Sequence, residues 1–190
     1  EAAMESCTLC EHWSAHKAMR LGLLTRVVRA VEAGGRLVPN TLWSGAFAEG
    51  WAVYSEQLML EAGLNHDPRH ELGQLKFWQR AVLNTIIDVG LHAGNLTEDD
   101  ALRLLLEEGY QTKKVAEEKI RRAQVSSVQL STYFVGWQQI LKLREEQKAA
   151  KGAAFVLREF NDALLSHGTP PLPFVREVFF SSEASVGGRG

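Results

Sequence analysis

The residues best suited to chemistry fall in two groups. Glu49 and Glu56 flank the run Gly50-Trp51-Ala52-Val53-Tyr54-Ser55, seven positions apart. Two helical turns span about seven residues, so a helix would set both carboxylates on nearly one face. Phe47, Trp51, Val53, Tyr54, Leu58 and Leu60 surround them with apolar surface. A carboxylate buried in such a setting must be paired, protonated or bound to a metal, because an isolated buried charge is too costly. The plainer alternative is an amphipathic helix whose acids both face water.

The second group is Cys7-Thr8-Leu9-Cys10-Glu11-His12-Trp13-Ser14-Ala15-His16. His12 and His16 are four apart, the spacing that places two imidazoles on one helical face in zinc peptidases. Trp13 follows His12, where such a motif carries the Glu that serves as general base. Cys7 and Cys10 form a Cys-x-x-Cys pair that, with the two histidines, makes a closed structural zinc site the competing arrangement. That site would be compressed, since Cys10 and His12 are only two apart. A third alternative is chance proximity near a frayed terminus.

Two further residues stand out. His92 closes an expected helix, where the dipole favours a histidine whether or not it acts on a substrate. Tyr133 lies early in another, as a core aromatic or as a phenol able to donate to a developing oxyanion.

Helices must position these groups. Apolar spacing and breakers predict a first helix over 11–33, ended by Gly34-Gly35, and a second over 44–62. A third, over 69–93, is opened by Asp67-Pro68 and carries the stripe Leu72, Leu75, Trp78, Val82 and Ile86. Thr97 to Asp100 reads as a capping box with acids in the first turn, starting a short helix to Glu108. Further helices are expected over 112–123, 129–150 and 153–166, with a last short turn over 174–180. No alternating strand pattern is long enough to build a sheet, so the fold class is all-α. Residues 11–180 read as one helical domain, and the small, polar stretch 181–190 as a disordered tail.

Composition narrows the function. The 190 residues are 45% hydrophobic with a formal net charge of −2, which suits one globular core and argues against nucleic acid or an anionic membrane as partner. No apolar run reaches the length of a membrane span. Two cysteines are too few for a disulfide scaffold, so a reducing, cytoplasmic compartment is the default, although the start at Glu1 suggests a piece of a longer chain whose signals lie elsewhere.

Taken together, the motifs resemble a bacterial family named domain of unknown function 885, related in fold to helical zinc metallopeptidases of the angiotensin-converting-enzyme type. Phe47-Ala48-Glu49-Gly50-Trp51-Ala52-Val53-Tyr54-Ser55-Glu56 is close to the family's Phe-x-Glu-Gly-Trp-Ala-x-Tyr-x-Glu. Asp88-Val89-Gly90-Leu91-His92 is like its Asp-Thr-Gly-x-His. Gln129 to Gly136 follows in order, and then Leu157 to Leu165 with Gly168 and Pro171 after it.

The resemblance implies a gluzincin-like C-terminal portion of a larger helical domain, acting on a peptide or small amide substrate with zinc as cofactor. Glu49 is then a zinc ligand. The family's upstream His-Glu-x-x-Pro-Gly-His corresponds to Cys10 through His16, with Glu11 as general base and His16 as ligand. Cys10 replaces the first His of that motif, or His12 takes its place as ligand. A thiolate would donate more charge and weaken the metal as a Lewis acid. His92 and Tyr133 are candidate oxyanion donors, and Glu56 could orient a ligand from behind. Asn161 stands where the family usually has His. The rival expectation is a non-catalytic helical scaffold or binding module that has lost its first ligand.

Overall fold

A computed structural model of the chain describes residues 43–63, 67–94, 96–166 and 168–186. Every regular element among them is a helix. In order these are α1 (Gly45–Glu61), α2 (Pro68–Ala93), α3 (Glu98–Glu107), α4 (Lys113–Ser126), α5 (Thr132–Lys151), a 3-10 turn (Gly152–Ala154), α6 (Leu157–Ser166) and α7 (Leu172–Val186). The all-α expectation therefore holds. The helix expected over 11–33 lies outside the described residues.

Local chemistry sets most helix ends. Ser44 caps α1 by accepting from the Phe47 amide at 3.3 Å, and Asp67 caps α2 by accepting from the Arg69 amide at 2.9 Å, with Pro68 in the first turn. Thr97 accepts from the Asp100 amide at 3.1 Å to start α3, as the capping-box pattern predicts. Gly94 ends α2 in the left-handed region at φ 84°, which glycine adopts without a Cβ penalty.

Other boundaries differ from expectation. α5 begins at Thr132 rather than Gln129: residues 127–131 form a turn in which Ser127 (φ 34°) and Val128 (φ 64°) have positive φ. The helix expected over 153–166 is split: Phe155 is extended, separating the 3-10 turn from α6. α7 is longer than the short turn expected over 174–180 and carries helix into the stretch expected to be a disordered tail.

Two apolar cores organise these helices. The larger joins α1, α5, α6 and α7 through Phe47, Tyr54, Leu58, Trp137, Ile140, Phe160, Leu164 and Val175. The smaller joins α2, α3 and α4 through Leu83, Ile87, Ala101, Leu105, Ala116 and Ile120. α2 belongs to both. Its Phe77 and Trp78 lie against the larger core, where Trp78 stacks on Trp137 with ring centroids 5.4 Å apart. Its Leu83 and Ile87 fill the smaller one.

The expected stripe of α2 is corrected by this arrangement. Leu72, Leu75 and Ile86 are exposed, at 67%, 56% and 46% of their surface. The buried face is instead Gln74, Ala81, Leu83, Asn84, Ile87 and Asp88. Apolar spacing alone favours the first set. Two polar members of the second, Gln74 and Asp88, are held there by hydrogen bonds to Glu56 and to the Val128–Ser131 turn, which periodicity does not register.

Candidate functional site

α1 and α5 run side by side in the same direction, with Gly45 near Thr132 at one end and Glu61 paired with Arg144 at the other. Glycines make this approach possible. A Cβ on Gly50 would sit 2.5 Å from the Gly136 Cα and 2.6 Å from the Trp137 amide nitrogen. A Cβ on Gly136 would overlap the Ala46 carbonyl oxygen. Each interior glycine costs its helix about 1 kcal/mol relative to alanine, and contact between the two backbones offsets that cost. Glu49 immediately precedes Gly50, and Tyr133 lies one helical turn before Gly136. The crossing thereby fixes the backbones that carry both.

Glu49 and Glu56 of α1 have different surroundings. Both are half-buried. The Glu56 Oε2 accepts from the Gln74 Nε2 of α2 at 2.8 Å. Glu49 has no hydrogen bond or ion pair to another described residue.

Behind this face the helices are tied by polar contacts. Tyr54, fully buried, donates from its hydroxyl to the Asn161 Oδ1 of α6 at 3.1 Å. Burial pushes its phenol well above the usual 10.0, while the Arg144 guanidinium acts in the opposite sense. Arg144 lies 5.9 Å from the Tyr54 ring centroid and binds Glu61 at 2.8 Å. The Trp137 indole N–H donates to the Gln57 Oε1 at 2.7 Å. These contacts hold α1 to α5 and α6.

At the far end of α2, Asp88 is buried and joins two elements. Its Oδ2 accepts from the Ser131 amide at 2.9 Å, and its Oδ1 from the Val128 amide at 3.2 Å. The Val128–Ser131 turn leads directly into α5 and Tyr133. On its own helix, the Asp88 backbone carbonyl lies 2.7 Å from the His92 Nδ1, and Oδ1 lies 3.3 Å from the same nitrogen. The His92 side chain is one-third exposed, and Tyr133 is half-buried.

Of the sequence-derived site residues, the structure thus relates Tyr133 to Glu49 through the glycine crossing, and to His92 through Asp88. Cys10, Glu11, His12 and His16 lie outside the described residues. Among the described residues no three His, Cys, Asp or Glu side chains converge as a metal-binding group. Any metal ligands to accompany Glu49 would therefore have to come from outside the described residues.

Sequence reasoning overlooked Asp88 as a structural hub, although the i, i+4 pair Asp88 and His92 signals a contact on one helical face. Gly50 and Gly136 also carried a signal, since a glycine inside a helical pattern asks for a packing reason.

Comparison with known proteins fits this architecture. Residues 24–178 match the family described as bacterial protein of unknown function, DUF885. The chain belongs to that family. Among solved structures, it is similar to a protein described as a lipoprotein of unknown function from Shewanella oneidensis, at 40% identity and a TM-score of 0.68 over 73% of this chain and 26% of that one. A similarly described protein from Colwellia psychrerythraea gives 33% identity and a TM-score of 0.67, over 70% and 23% of the two chains.

Two curated proteins match only short stretches. The 6-oxocyclohex-1-ene-1-carbonyl-CoA hydrolase of Geobacter metallireducens is 58% identical over 40 residues, which is 21% of this chain and 10% of that protein. The enzyme of the same name from Thauera aromatica is 50% identical over 42 residues, 22% and 11% of the two. The chain therefore spans about a quarter of the solved relatives and about a tenth of the curated ones.

Proposed function

We propose that this chain is the C-terminal part of a zinc-dependent hydrolase of peptide or related amide bonds. One observation carries the reading. Glu49 offers a half-buried carboxylate with no partner among the described residues, on backbone locked against α5 by the Gly50–Gly136 contact. An acid destined only for water needs no such fixed frame, whereas a ligand does. The matched curated proteins are hydrolases by name, but identity over a tenth of their length says nothing of substrate.

In this reading Glu49 and His16 hold the ion, with Cys10 or His12 completing the set. Bound zinc supplies Lewis-acid polarisation of a carbonyl and lowers the pKa of a coordinated water. Glu11 accepts a proton from the attacking water and returns it to the leaving amine. Tyr133 donates from its phenol to the developing oxyanion, and His92 does so when its ring is charged.

The test is zinc per chain by elemental mass spectrometry, on wild type and Glu49→Ala side by side. About one zinc in wild type and none in the variant is expected for a metal site containing Glu49. Equal zinc in both removes Glu49 from the site.

A second reading is a non-catalytic helical scaffold. It is favoured by Cys10 and by Ser14-Ala15, which stand where the resembled motif has its first His and its Pro-Gly. Little zinc in a wild-type protein with a helical spectrum would select it.

A further inference from the structure

We propose that Asp88 is a positioning residue that fixes which nitrogen of His92 carries the exchangeable proton, and ties that ring to the start of the Tyr133 helix. The use of the ring on a substrate rests on the hydrolase reading above; the positioning itself does not.

Donor and acceptor roles assign the protonated nitrogen of His92. A backbone carbonyl can only accept, so the 2.7 Å contact between the Asp88 carbonyl and the His92 Nδ1 requires a hydrogen on Nδ1. The carboxylate Oδ1, 3.3 Å from the same nitrogen, accepts in the same sense. Nδ1 is therefore protonated whether the ring is neutral or charged. All proton exchange takes place at Nε2, which accepts when the ring is neutral and donates when it is charged.

The same carboxylate is spoken for on its other side. Oδ1 also accepts from the Val128 amide, and Oδ2 from the Ser131 amide. Three N–H groups from two elements thus converge on one buried carboxylate. The turn it holds includes Ser127 and Val128 at positive φ. Non-glycine backbone persists there only when its surroundings over-determine it, and such strain gathers at functional sites.

The arrangement predicts an unusual response to Asp88→Asn. Keeping the better of the two amide contacts, at Ser131, turns the new NH2 toward the Oδ1 position. There it faces two donors, the His92 Nδ1 and the Val128 amide. The main-chain carbonyl of residue 88 is unchanged by the substitution and still requires the Nδ1 hydrogen, so the ring keeps its tautomer while the contacts through Oδ1 are lost.

The experiment is a long-range proton–nitrogen NMR correlation on the full, nitrogen-15-labelled chain above the histidine titration range, with the ring assigned by its loss in His92→Gln. Wild type should show His92 with Nδ1 protonated and Nε2 bare. Asp88→Asn should keep Nδ1 protonated, held by the main-chain carbonyl, with amide exchange at Val128 and Ser131 at least about tenfold faster. A wild-type ring already in the Nε2–H form overturns the proposal, and needs no variant to fold. Unchanged amide exchange at Val128 and Ser131 in Asp88→Asn also overturns it, because the carboxylate then does not tie the ring to the turn before α5. Neither readout requires metal or substrate, so a failed zinc assay and a failed tautomer assay are separate results.

Discussion

Gly50 of α1 and Gly136 of α5 meet backbone to backbone, with a hypothetical Gly50 methyl 2.5 Å from the Gly136 Cα. No side chain can be trimmed to relieve such a contact, because the neighbours are main-chain atoms. Gly136→Ala is therefore expected to destabilise the fold by about 3 kcal/mol despite alanine's better helix propensity. Gly73→Ala is the control: nothing lies within 4 Å of its added methyl, so stability should rise slightly. Urea unfolding of the two variants checks the contrast.

Tyr54 gives a pH dependence whose sign follows from its burial. Its folded-state pKa lies above the ordinary 10.0 that the unfolded chain shows. Below about pH 10 both states hold the phenolic proton, and the contribution is fully present. As pH rises further the unfolded chain loses its proton while the folded chain keeps it, so stability falls, by up to about 1.4 kcal/mol per pH unit. Denaturation at pH 9 to 11, in wild type and Tyr54→Phe, reads this out. The variant should show the shallower decline, and a neutral-pH loss of about 1 kcal/mol from the broken bond to Asn161.

Val128 is β-branched, exposed and held at φ 64°. Glycine adopts that backbone freely, and little packing is lost on removing the side chain. Val128→Gly should raise stability by about 0.5–1 kcal/mol, measured as an increase in Tm.

Tyr133→Phe separates catalysis from metal binding. Under the hydrolase reading it removes an oxyanion donor and keeps the ligands, so kcat should fall about 10²-fold with zinc content unchanged. Loss of zinc in this variant would instead place Tyr133 among the groups that maintain the metal site.

Local features of this fold were legible in the sequence because their causes are local. Thr97, Asp67-Pro68 and Gly94 mark helix ends with groups that act within one turn. The buried face of α2 was not legible. Its Gln74, Asn84 and Asp88 are buried, and two of these have identified partners: Glu56 for Gln74, and a turn 40 residues onward for Asp88. Apolar periodicity assigns polar residues outward, and only the tertiary partner reverses that. The left-handed turn at Ser127 and Val128 escaped for the same reason, since neither residue favours that backbone and Asp88 supplies the anchor. The candidate site was half legible: Glu49, His92 and Tyr133 stood out by type and motif, while Asp88 and the glycine crossing that hold them did not.

The sharing of α2 between two cores has a mechanical consequence. Gln74 fastens it near one end and Asp88 near the other, with His92 one turn beyond. From Gln74 to His92 the helix extends roughly 27 Å, so a tilt of about 5° pivoting at Gln74 would displace His92 by roughly 2 Å and would have to carry the Val128–Ser131 turn along with Asp88. A volume change in the Trp78–Trp137 stack would thus act on His92 as on the end of a lever, without touching it. Substitutions at that stack belong among those that can retune the distant end of α2.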